Sequence, residues 1–324
     1  MGKVLGVAAA VLLLVVVAGA VLYRPDIPYE RLEAKYAVPA SKFVDLPGGV
    51  RLHYREDGDP AKPTVVLVHG FGDSFVTWGR WVVLLKRDFH VITLDLPGHG
   101  LTRAPAGYRA SPDAYADLVD AFAAKLALPP FAIVGNSLGG GVAWQVALRY
   151  PKRLDALVLV DASGWPPAPT TTKPPLVFRL LKTPAGAFWL RHFNGDALAA
   201  QALRADVVRK PLITKAFVAR WQELHRAPGH RDILMGLKAG PHSRATAAAL
   251  SAIAVPTLVL QGEKDVVIPP ADGRRFAQAI PGATLILYPD AGHLPQVDIP
   301  DRSAADVSAF LKAALAKESA KGPA

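Results

Sequence analysis

The stretch Gly135-Asn136-Ser137-Leu138-Gly139 places a serine between an apolar run, 131–134, and a longer apolar segment, 140–148. The first run predicts a short buried strand and the second predicts a helix. A serine on a sharp strand-to-helix turn adopts strained backbone angles, which small glycine neighbours tolerate. The turn exposes the hydroxyl at a helix N terminus, where developing negative charge is favoured. Ser137 is therefore the candidate nucleophile of the chain.

Length and composition indicate one large globular domain. The chain has 324 residues, of which 51% are hydrophobic and none is cysteine. Beyond the first two dozen residues, about three hundred remain, which is enough for one α/β domain with its own core. The lack of cysteine excludes disulfides, thiolate metal sites and a cysteine nucleophile, but it does not identify the compartment.

The N-terminal segment is strongly apolar. Residues 4–22 carry no charge and are rich in Val, Leu and Ala. A helix of this length spans roughly 28 Å, close to the hydrocarbon thickness of a bilayer. We therefore expect residues 1–23 to form a single transmembrane anchor, with the catalytic domain on the outer, periplasmic or extracellular side. The alternative is a signal peptide cleaved near Ala18-Gly19-Ala20, followed by secretion.

Positive charge is concentrated in one part of the chain. Between residues 162 and 252 there are thirteen Lys or Arg and four Asp or Glu, in a chain whose net charge is +10. Two explanations remain open: solvated helix faces, or a basic surface near anionic lipid head groups or anionic substrates. The basic residues are scattered without a recognition motif, so no nucleic-acid partner is expected.

Strands and helices alternate along most of the chain, after an expected polar linker at 24–41. Eight strands are predicted, at 42–46, 50–54, 64–68, 90–94, 131–134, 154–160, 257–260 and 284–287. Helical spacing occurs at 78–86, 112–127, 142–149, 270–280 and 303–317. This alternation predicts an α/β fold with a doubly wound, mostly parallel eight-stranded sheet.

One segment interrupts this alternation. Residues 163–250 begin with clustered prolines and continue with helical stretches that no strand separates. We interpret them as a helical lid inserted after the sixth strand, between core segments 42–162 and 251–317, with a C-terminal tail at 318–324. The apolar and aromatic residues of the lid predict a hydrophobic substrate pocket.

Candidate catalytic groups follow the predicted strands. Ser137 follows the fifth strand, Asp265 the seventh and His293 the eighth, and in open α/β sheets functional groups gather beyond these strand ends. A serine hydroxyl needs an imidazole to take its proton, and the imidazole needs a carboxylate to fix its tautomer. Asp161, at the end of the sixth strand, is the alternative carboxylate.

The chain resembles the α/β-hydrolase fold superfamily. The resemblance rests on five motifs, which cover about residues 42–317: Val66-Leu67-Val68-His69-Gly70-Phe71-Gly72, Asp95-Leu96-Pro97-Gly98-His99-Gly100, Gly135-Asn136-Ser137-Leu138-Gly139-Gly140, Gln261-Gly262-Glu263-Lys264-Asp265 and Gly292-His293. It implies that Ser137 is the nucleophile, His293 the general base and acid, and Asp265 the orienting carboxylate. It also implies an oxyanion hole made by the backbone N–H groups of Phe71 and Leu138.

Other residues are weaker candidates. Possible substrate-pocket residues are Asn136, Trp165, Arg231 and Leu294. His69 is expected to be structural, with its ring bound to loop backbone below the oxyanion turn. His225, His230 and His242 lack metal-ligand spacing, so neither a metal nor another cofactor is expected.

The serine at 137 narrows the reaction. Dehalogenases and epoxide hydrolases of this fold use a carboxylate at that position, so they are excluded. The expected function is hydrolysis of a carboxylic ester, or a related acyl bond, of a hydrophobic small molecule. Alternatives are carbon–carbon bond hydrolysis of the meta-cleavage type and cofactor-free haloperoxidase or perhydrolase activity. A non-catalytic binding protein of the same fold is the alternative from another class, and the oligomeric state stays open.

Overall fold

Helices cover both faces of an eight-stranded sheet in the computed structural model of the protein. The structure describes residues 5, 7, 13, 17, 19–166, 176–180, 182–193, 195–239 and 243–321. The strands are β1 (Ser41–Leu46), β2 (Val50–Asp57), β3 (Thr64–Val68), β4 (His90–Leu94), β5 (Phe131–Asn136), β6 (Leu154–Val160), β7 (Thr257–Gly262) and β8 (Thr284–Tyr288). Their order across the sheet is β1-β2-β4-β3-β5-β6-β7-β8. The pairs β1–β2 and β2–β4 are antiparallel and all the others are parallel, which confirms the predicted fold class.

The helices of the core alternate with the strands. They are α1 (Tyr29–Tyr36), α2 (Gly79–Leu85), α3 (Pro112–Lys125), α4 (Leu138–Arg149), α11 (Pro270–Ala279), α12 (Pro295–Asp298) and α13 (Pro300–Lys321). Helices α5 to α10 lie between β6 and β7: α5 (Leu176–Leu180), α6 (Pro184–His192), α7 (Asp196–Ala205), α8 (Lys215–His225), α9 (His230–Ala239) and α10 (Ala247–Leu250).

The central strands are apolar on both faces because both faces are covered. Every residue of β3, β4, β5 and β7 is buried, as expected for strands between two helical layers. One face packs against α3, α4 and α11, and the other packs against α2 and α13. The carboxyl ends of β3, β5, β6 and β7 therefore meet at one edge, below the lid helices.

The expected linker at 24–41 is instead a structured segment. We call residues 23–36 the N-terminal strap. Its helix α1 buries Tyr29 and Leu32, three positions apart on one helix face, against Leu101 and Leu224. The backbone of the strap also hydrogen bonds to the lid, since Arg24 N–H donates to His192 O at 2.9 Å. Burial of this one apolar face explains why a segment with several prolines is ordered.

Both chain ends bear on the sequence predictions. Most of the predicted anchor at 1–23 lies outside the described residues, and among those that are described no helix is both long and apolar enough to cross a membrane. At the other end, α13 extends to Lys321, so the predicted tail at 318–324 begins inside a helix.

Candidate active site

Ser137 lies on the turn between β5 and α4, and its backbone is strained. Its φ is 54° and its ψ is −115°, a positive φ that L residues rarely adopt. The flanking glycines are required by space: a Cβ on Gly135 would lie 2.0 Å from the carbonyl oxygen of Gly139. A Cβ on Gly139 would lie 2.1 Å from the carbonyl oxygen of Val68, at the end of β3. The two glycines therefore let the turn fold tightly against the neighbouring strand.

His293 and Asp265 are brought into direct contact. Nδ1 of His293 lies 2.7 Å from Oδ2 of Asp265, and both side chains are buried. The other oxygen of Asp265, Oδ1, accepts the backbone N–H groups of Val267 at 2.7 Å and Ile268 at 2.9 Å. A carboxylate held in this way makes Nδ1 the protonated nitrogen of the ring and leaves Nε2 as the proton acceptor.

The backbone of the His293 loop is held by three neighbouring elements. His293 N–H donates to the carbonyl oxygen of Asp206 at the end of α7, at 2.7 Å. The side-chain amide of Asn136 donates to the carbonyl oxygen of His293 at 3.1 Å. The carboxylate of Asp298 accepts the N–H of Gly292 at 2.8 Å. The lid, the Ser137 turn and α12 therefore fix the same loop.

The electrostatic environment of His293 favours the charged imidazolium. Burial is the largest single effect and acts to lower the pKa of His293, but the charge and hydrogen bond of Asp265, together with the charges of Asp206 and Asp73, outweigh it. The pKa of His293 therefore lies above its ordinary value. Burial also raises the pKa of Asp206 to about 6, against an opposing effect of His293. The buried carboxylates thus stabilise the imidazolium that forms when His293 takes a proton.

The two predicted oxyanion donors lie next to each other in the fold. Leu138 is the first residue of α4, where backbone N–H groups have no acceptor within the helix. Phe71 follows β3, whose end contacts the Ser137 turn through Gly139. The ring of His69 is bound to loop backbone, since it contacts the carbonyl oxygen of Gly70 at 2.8 Å and the N–H of Leu96 at 3.1 Å. This confirms the structural role predicted for His69.

Lid helix α8 covers the loop that holds Phe71. A Cβ on Gly72 would lie 3.1 Å from the Trp221 ring and 3.2 Å from Nε2 of His225. Nδ1 of His225 lies 2.5 Å from the carbonyl oxygen of Trp221, which makes Nδ1 the donor, and burial lowers the pKa of His225 to about 4. The imidazole of His225 is therefore neutral above that pH.

Asp161 lies behind the His293–Asp265 pair. Its Oδ1 accepts the N–H of Gly262 at 2.8 Å and the side-chain amide of Gln261 at 2.7 Å. Asp161, Asp265 and His293 offer donor atoms within 4.8 Å of one another, so these residues could in principle hold a metal ion. Two of the three already hydrogen bond to each other, which is the arrangement of a proton relay rather than of three free metal ligands.

A cavity of about 390 Å³ lies between the lid and these loops. Apolar side chains of the lid form most of its wall, among them Leu190, Phe193, Leu198, Ala202, Leu203 and Met235. Phe71 and Asp206 line it on the side of the catalytic loops. Arg24, Arg226 and Arg231 line it on the side of the strap. The cavity therefore reaches from the strap to Phe71 and Asp206, while Ser137 and His293 are not among its lining residues in the described chain.

The four predicted pocket residues have different positions. Arg231 lines the cavity, but its guanidinium is bound to the carbonyl oxygen of Arg24 and to Asp26. Asn136 supports the His293 loop, and Leu294 packs beside it in an apolar cluster with Leu203. Trp165 is not among the cavity-lining residues of the described chain.

Trp165 is partly buried and packs against the main hydrophobic core. Its ring lies 5.4 Å from that of Phe276 and 4.0 Å from the Arg275 guanidinium, both on α11. These contacts pack the Trp165 ring against α11, and a role for Trp165 in the substrate pocket stays a prediction.

Sequence reasoning missed two features of this region. Asp206 lines the cavity and binds the His293 backbone, but a single aspartate at the end of a lid helix gives no sequence signal. A second Ser–His–Asp arrangement is also present: His53 joins Asp95 at 2.7 Å and Ser41 at 2.8 Å. These residues are far apart in sequence and meet only because β1, β2 and β4 are neighbours.

Comparisons with known proteins agree with this geometry. The sequence profile of the α/β hydrolase fold matches residues 63–300. An uncharacterised protein of Mycobacterium tuberculosis is 31% identical over 283 residues, which cover 81% of this chain and 79% of that protein. The 2-hydroxymuconate semialdehyde hydrolase of Pseudomonas sp. (strain CF600) is 28% identical over 281 residues, or 82% of this chain and 92% of the enzyme.

A solved structure agrees over nearly the whole chain. It is that of a membrane phospholipase A, a bacterial virulence factor, with a TM-score of 0.74 and 26% sequence identity. The match covers 97% of this chain and 99% of the other. Together with the profile match and the strand order, this makes the chain a hydrolase that belongs to the α/β-hydrolase fold family.

Proposed function

We propose that the protein is a serine hydrolase that cleaves a carboxylic ester of a hydrophobic small molecule through an acyl-enzyme intermediate. The observation that carries the proposal is the 2.7 Å contact between His293 and Asp265 beside the strained Ser137 turn. The nucleophile follows β5, the orienting carboxylate follows β7 and the base follows β8, all at the same edge of the sheet, below the lid.

In the first half of the reaction, His293 Nε2 takes the hydroxyl proton of Ser137 as Oγ attacks the ester carbonyl carbon. The carbonyl oxygen becomes an oxyanion, which the N–H groups of Phe71 and Leu138 stabilise. The imidazolium, stabilised by Asp265, then gives its proton to the leaving alcohol as the C–O bond breaks. In the second half, water loses a proton to His293 and attacks the acyl carbon, and Ser137 leaves with that proton.

The lining of the cavity favours binding of an uncharged, apolar acyl or aryl group of the substrate. Most of its wall is Leu, Ala, Phe and Met, and its size is within the range of small-molecule pockets. On the side of the catalytic loops the charged group is Asp206, whose pKa is raised to about 6 by burial. This carboxyl is largely ionised above neutral pH and disfavours an anionic group next to Ser137.

Carbon–carbon bond hydrolysis is the second candidate. The 28% identity to a 2-hydroxymuconate semialdehyde hydrolase over most of both chains favours it. The same three catalytic groups can act on a carbonyl next to the C–C bond that is cleaved. The residues beside Ser137 therefore do not distinguish ester hydrolysis from C–C bond hydrolysis. A substrate panel does: short and long 4-nitrophenyl esters, a lactone and a ring-fission dienone. Turnover of the dienone alone contradicts the ester proposal.

Covalent labelling tests whether the site reacts at all. A fluorophosphonate probe is expected to label the protein at Ser137, and Ser137→Ala is expected to remove the label. Wild-type protein that is folded but unlabelled would favour the alternative of a non-catalytic binding protein.

We also propose that residues 4–22 anchor the protein in a membrane, with the catalytic domain on the outer side. The support is the length of the uncharged segment and its position directly before the strap, whose Arg24 lines the cavity. Deletion of residues 1–22 keeps the whole strap, including the Tyr23–Phe193 bridge, and is expected to move the protein from the membrane fraction to the soluble one. Protease added to intact cells is expected to digest the full-length protein. An intact-mass measurement that shows cleavage near residue 20 would support secretion instead.

A further inference from the structure

Asp161, directly after β6, has a backbone and a side chain that packing alone does not explain. Its φ is 45°, and in the described chain Ala127 and Ser137 are the other non-glycine residues with positive φ. The side chain is fully buried. Oδ1 accepts hydrogen bonds from Gly262 N–H and the Gln261 amide, but no N–H or O–H group of the described residues donates to Oδ2. The strained backbone therefore holds a buried, half-satisfied carboxyl in place.

The carboxyl of Asp265 is the partner that remains for this oxygen. One oxygen of Asp161, one oxygen of Asp265 and one ring nitrogen of His293 all lie within 4.8 Å of one another, and, in addition to burial, the charge of Asp265 raises the pKa of Asp161. Asp265 accepts three N–H groups already, from Val267, Ile268 and His293. Two buried carboxylates in contact cannot both be ionised, so a single proton between them turns repulsion into a hydrogen bond.

The donor count decides which carboxyl carries the proton. Asp265 has three N–H donors, one of them the imidazole, whereas Asp161 has two. Burial raises the pKa of Asp161 well above its ordinary value, and the neighbouring Asp265 and Asp298 carboxyls raise it further. Asp161 is therefore the neutral partner and Asp265 the ionised one.

We infer that Asp161 is a positioning residue that carries a proton on Oδ2 and donates it in an O–H···O hydrogen bond to Asp265, which fixes that carboxylate against His293. This role rests on the proposed function of Ser137, His293 and Asp265. It also gives the two aspartates different tasks: Asp265 orients the imidazole, and Asp161 holds Asp265.

The inference predicts a loss of activity at alkaline pH. The titratable groups that face Asp161 are Asp265, His293, Asp298 and Tyr288. When Asp161 loses its proton, a second negative charge faces Asp265, and the hydrogen bond becomes a repulsion. Asp265 then moves from its position against His293, so kcat/KM is expected to fall.

Asp161→Asn separates this role from a general structural one. The amide oxygen can accept the Gly262 and Gln261 donors, and the amide NH₂ can donate to Asp265 at every pH. We expect kcat/KM on a 4-nitrophenyl ester to stay within about three-fold of wild type at pH 7. We also expect the alkaline fall to move to higher pH by at least about one unit. Asp117→Asn, a carboxyl-to-amide change at an exposed position of α3, is the matched control and is expected to keep the wild-type profile.

Two outcomes overturn the inference. One is a loss of about a hundred-fold or more at pH 7 in a folded Asp161→Asn protein, which would mean that an ionised Asp161 is needed. The other is an alkaline fall in kcat/KM that occurs at the same pH in Asp161→Asn as in wild type.

Thermal unfolding tests the same proton without any turnover. An acid whose folded pKa is raised loses native-state stability as pH rises above its unfolded value of about 4. Asparagine does not titrate, so Asp161→Asn is expected to have a higher Tm than wild type at pH 8 and a smaller advantage at pH 5. A variant that is no more stable than wild type at pH 8 would contradict a protonated Asp161. If the wild type hydrolyses none of the esters, the proposed function fails, and this measurement still decides the state of Asp161.

Discussion

His293 Nδ1 lies 2.7 Å from Asp265 Oδ2, and the N–H of the same histidine lies 2.7 Å from the carbonyl oxygen of Asp206 in the lid. One contact fixes the ring and the other fixes the backbone that carries it. Because Asp206 ends α7 and lines the cavity, the position of the base is coupled to the helix that encloses the substrate. Lid order and catalysis are therefore expected to change together.

The first prediction concerns Asp265. Asp265→Asn replaces a hydrogen-bond acceptor for Nδ1–H by an amide that can donate, which favours the wrong imidazole tautomer. We expect kcat to fall by about 10³- to 10⁴-fold with little loss of folding. Steady-state kinetics on a 4-nitrophenyl ester measure this, with Asp117→Asn on the exposed side of α3 as the control. If Asp265→Asn is nearly as active as wild type and Asp161→Asn is inactive, then Asp161 and not Asp265 is the carboxylate that orients His293.

The second prediction is the acid limb of the pH profile. Hydrolysis needs neutral His293, and the pKa of His293 lies above its ordinary value because Asp265, Asp206 and Asp73 together outweigh burial. We therefore expect kcat/KM to fall, as pH decreases, with an apparent pKa above about 6.5. Asp265→Asn removes the main cause and should move the limb to lower pH. An acid limb that stays in place in this variant would mean that another group titrates.

The third prediction separates the two Ser–His–Asp arrangements. Ser41 contacts His53 at 2.8 Å, and His53 contacts Asp95 at 2.7 Å, so hydrogen bonding alone does not distinguish Ser41 from a nucleophile. Ser41 lies on the edge strand β1, not at a helix N terminus, and its Oγ already accepts the Val38 N–H at 3.0 Å.

We therefore expect Ser41→Ala to keep full fluorophosphonate labelling and Ser137→Ala to lose it. Peptide mapping of the labelled protein provides the measurement. Label on the peptide that contains residue 41 would contradict the assignment of Ser137 as the reactive serine.

The sequence predicted those parts of the site that depend on local geometry. The Ser137 turn was readable because Gly135 is required by its close approach to Gly139 within the same turn, although Gly139 itself is required by Val68 on a distant strand. The choice between Asp161 and Asp265 was not readable with the same ease, since both follow neighbouring strands and only the folded loops show which one reaches His293. The strap was missed because two buried residues, Tyr29 and Leu32, are too few to give a periodic signal. The direction of Trp165 depends on Arg275, more than a hundred residues away.

The fourth prediction concerns stability and Asp206. Burial raises its pKa to about 6, from an ordinary value of 3.8. Since the folded state holds this proton more tightly, wild-type stability should fall as pH rises from about 4 to about 6 and then stay level. Asp206→Asn removes this loss and keeps the backbone carbonyl that binds His293. We expect the variant to be more stable at pH 8 by at most about 3 kcal/mol, with no difference near pH 4. Urea unfolding at both pH values measures this difference. Equal stability of wild type and Asp206→Asn at pH 8 would mean that Asp206 is an ordinary, solvated carboxylate whose pKa is not raised.

The fifth prediction concerns the cavity as an acyl site. Ala202, on α7, lines the cavity, whereas Ala205, on the same helix, is exposed. Ala202→Phe adds a benzyl-sized group to a space of about 390 Å³ and should shorten the acyl chain that fits. Hydrolysis of long-chain 4-nitrophenyl esters is expected to fall by about ten-fold or more relative to acetate, because each excluded methylene forfeits about 0.8 kcal/mol of burial.

Ala205→Phe is the matched control for this change, since it adds the same side chain to the same helix without entering the cavity. The ratio of kcat/KM for long and short esters should therefore stay at the wild-type value in Ala205→Phe and fall only in Ala202→Phe. An equal fall for acetate and for long chains in Ala202→Phe would indicate damage to the His293 loop through Asp206. An unchanged ratio in both variants would mean that the acyl chain lies elsewhere, and the proposed direction of substrate binding would be wrong.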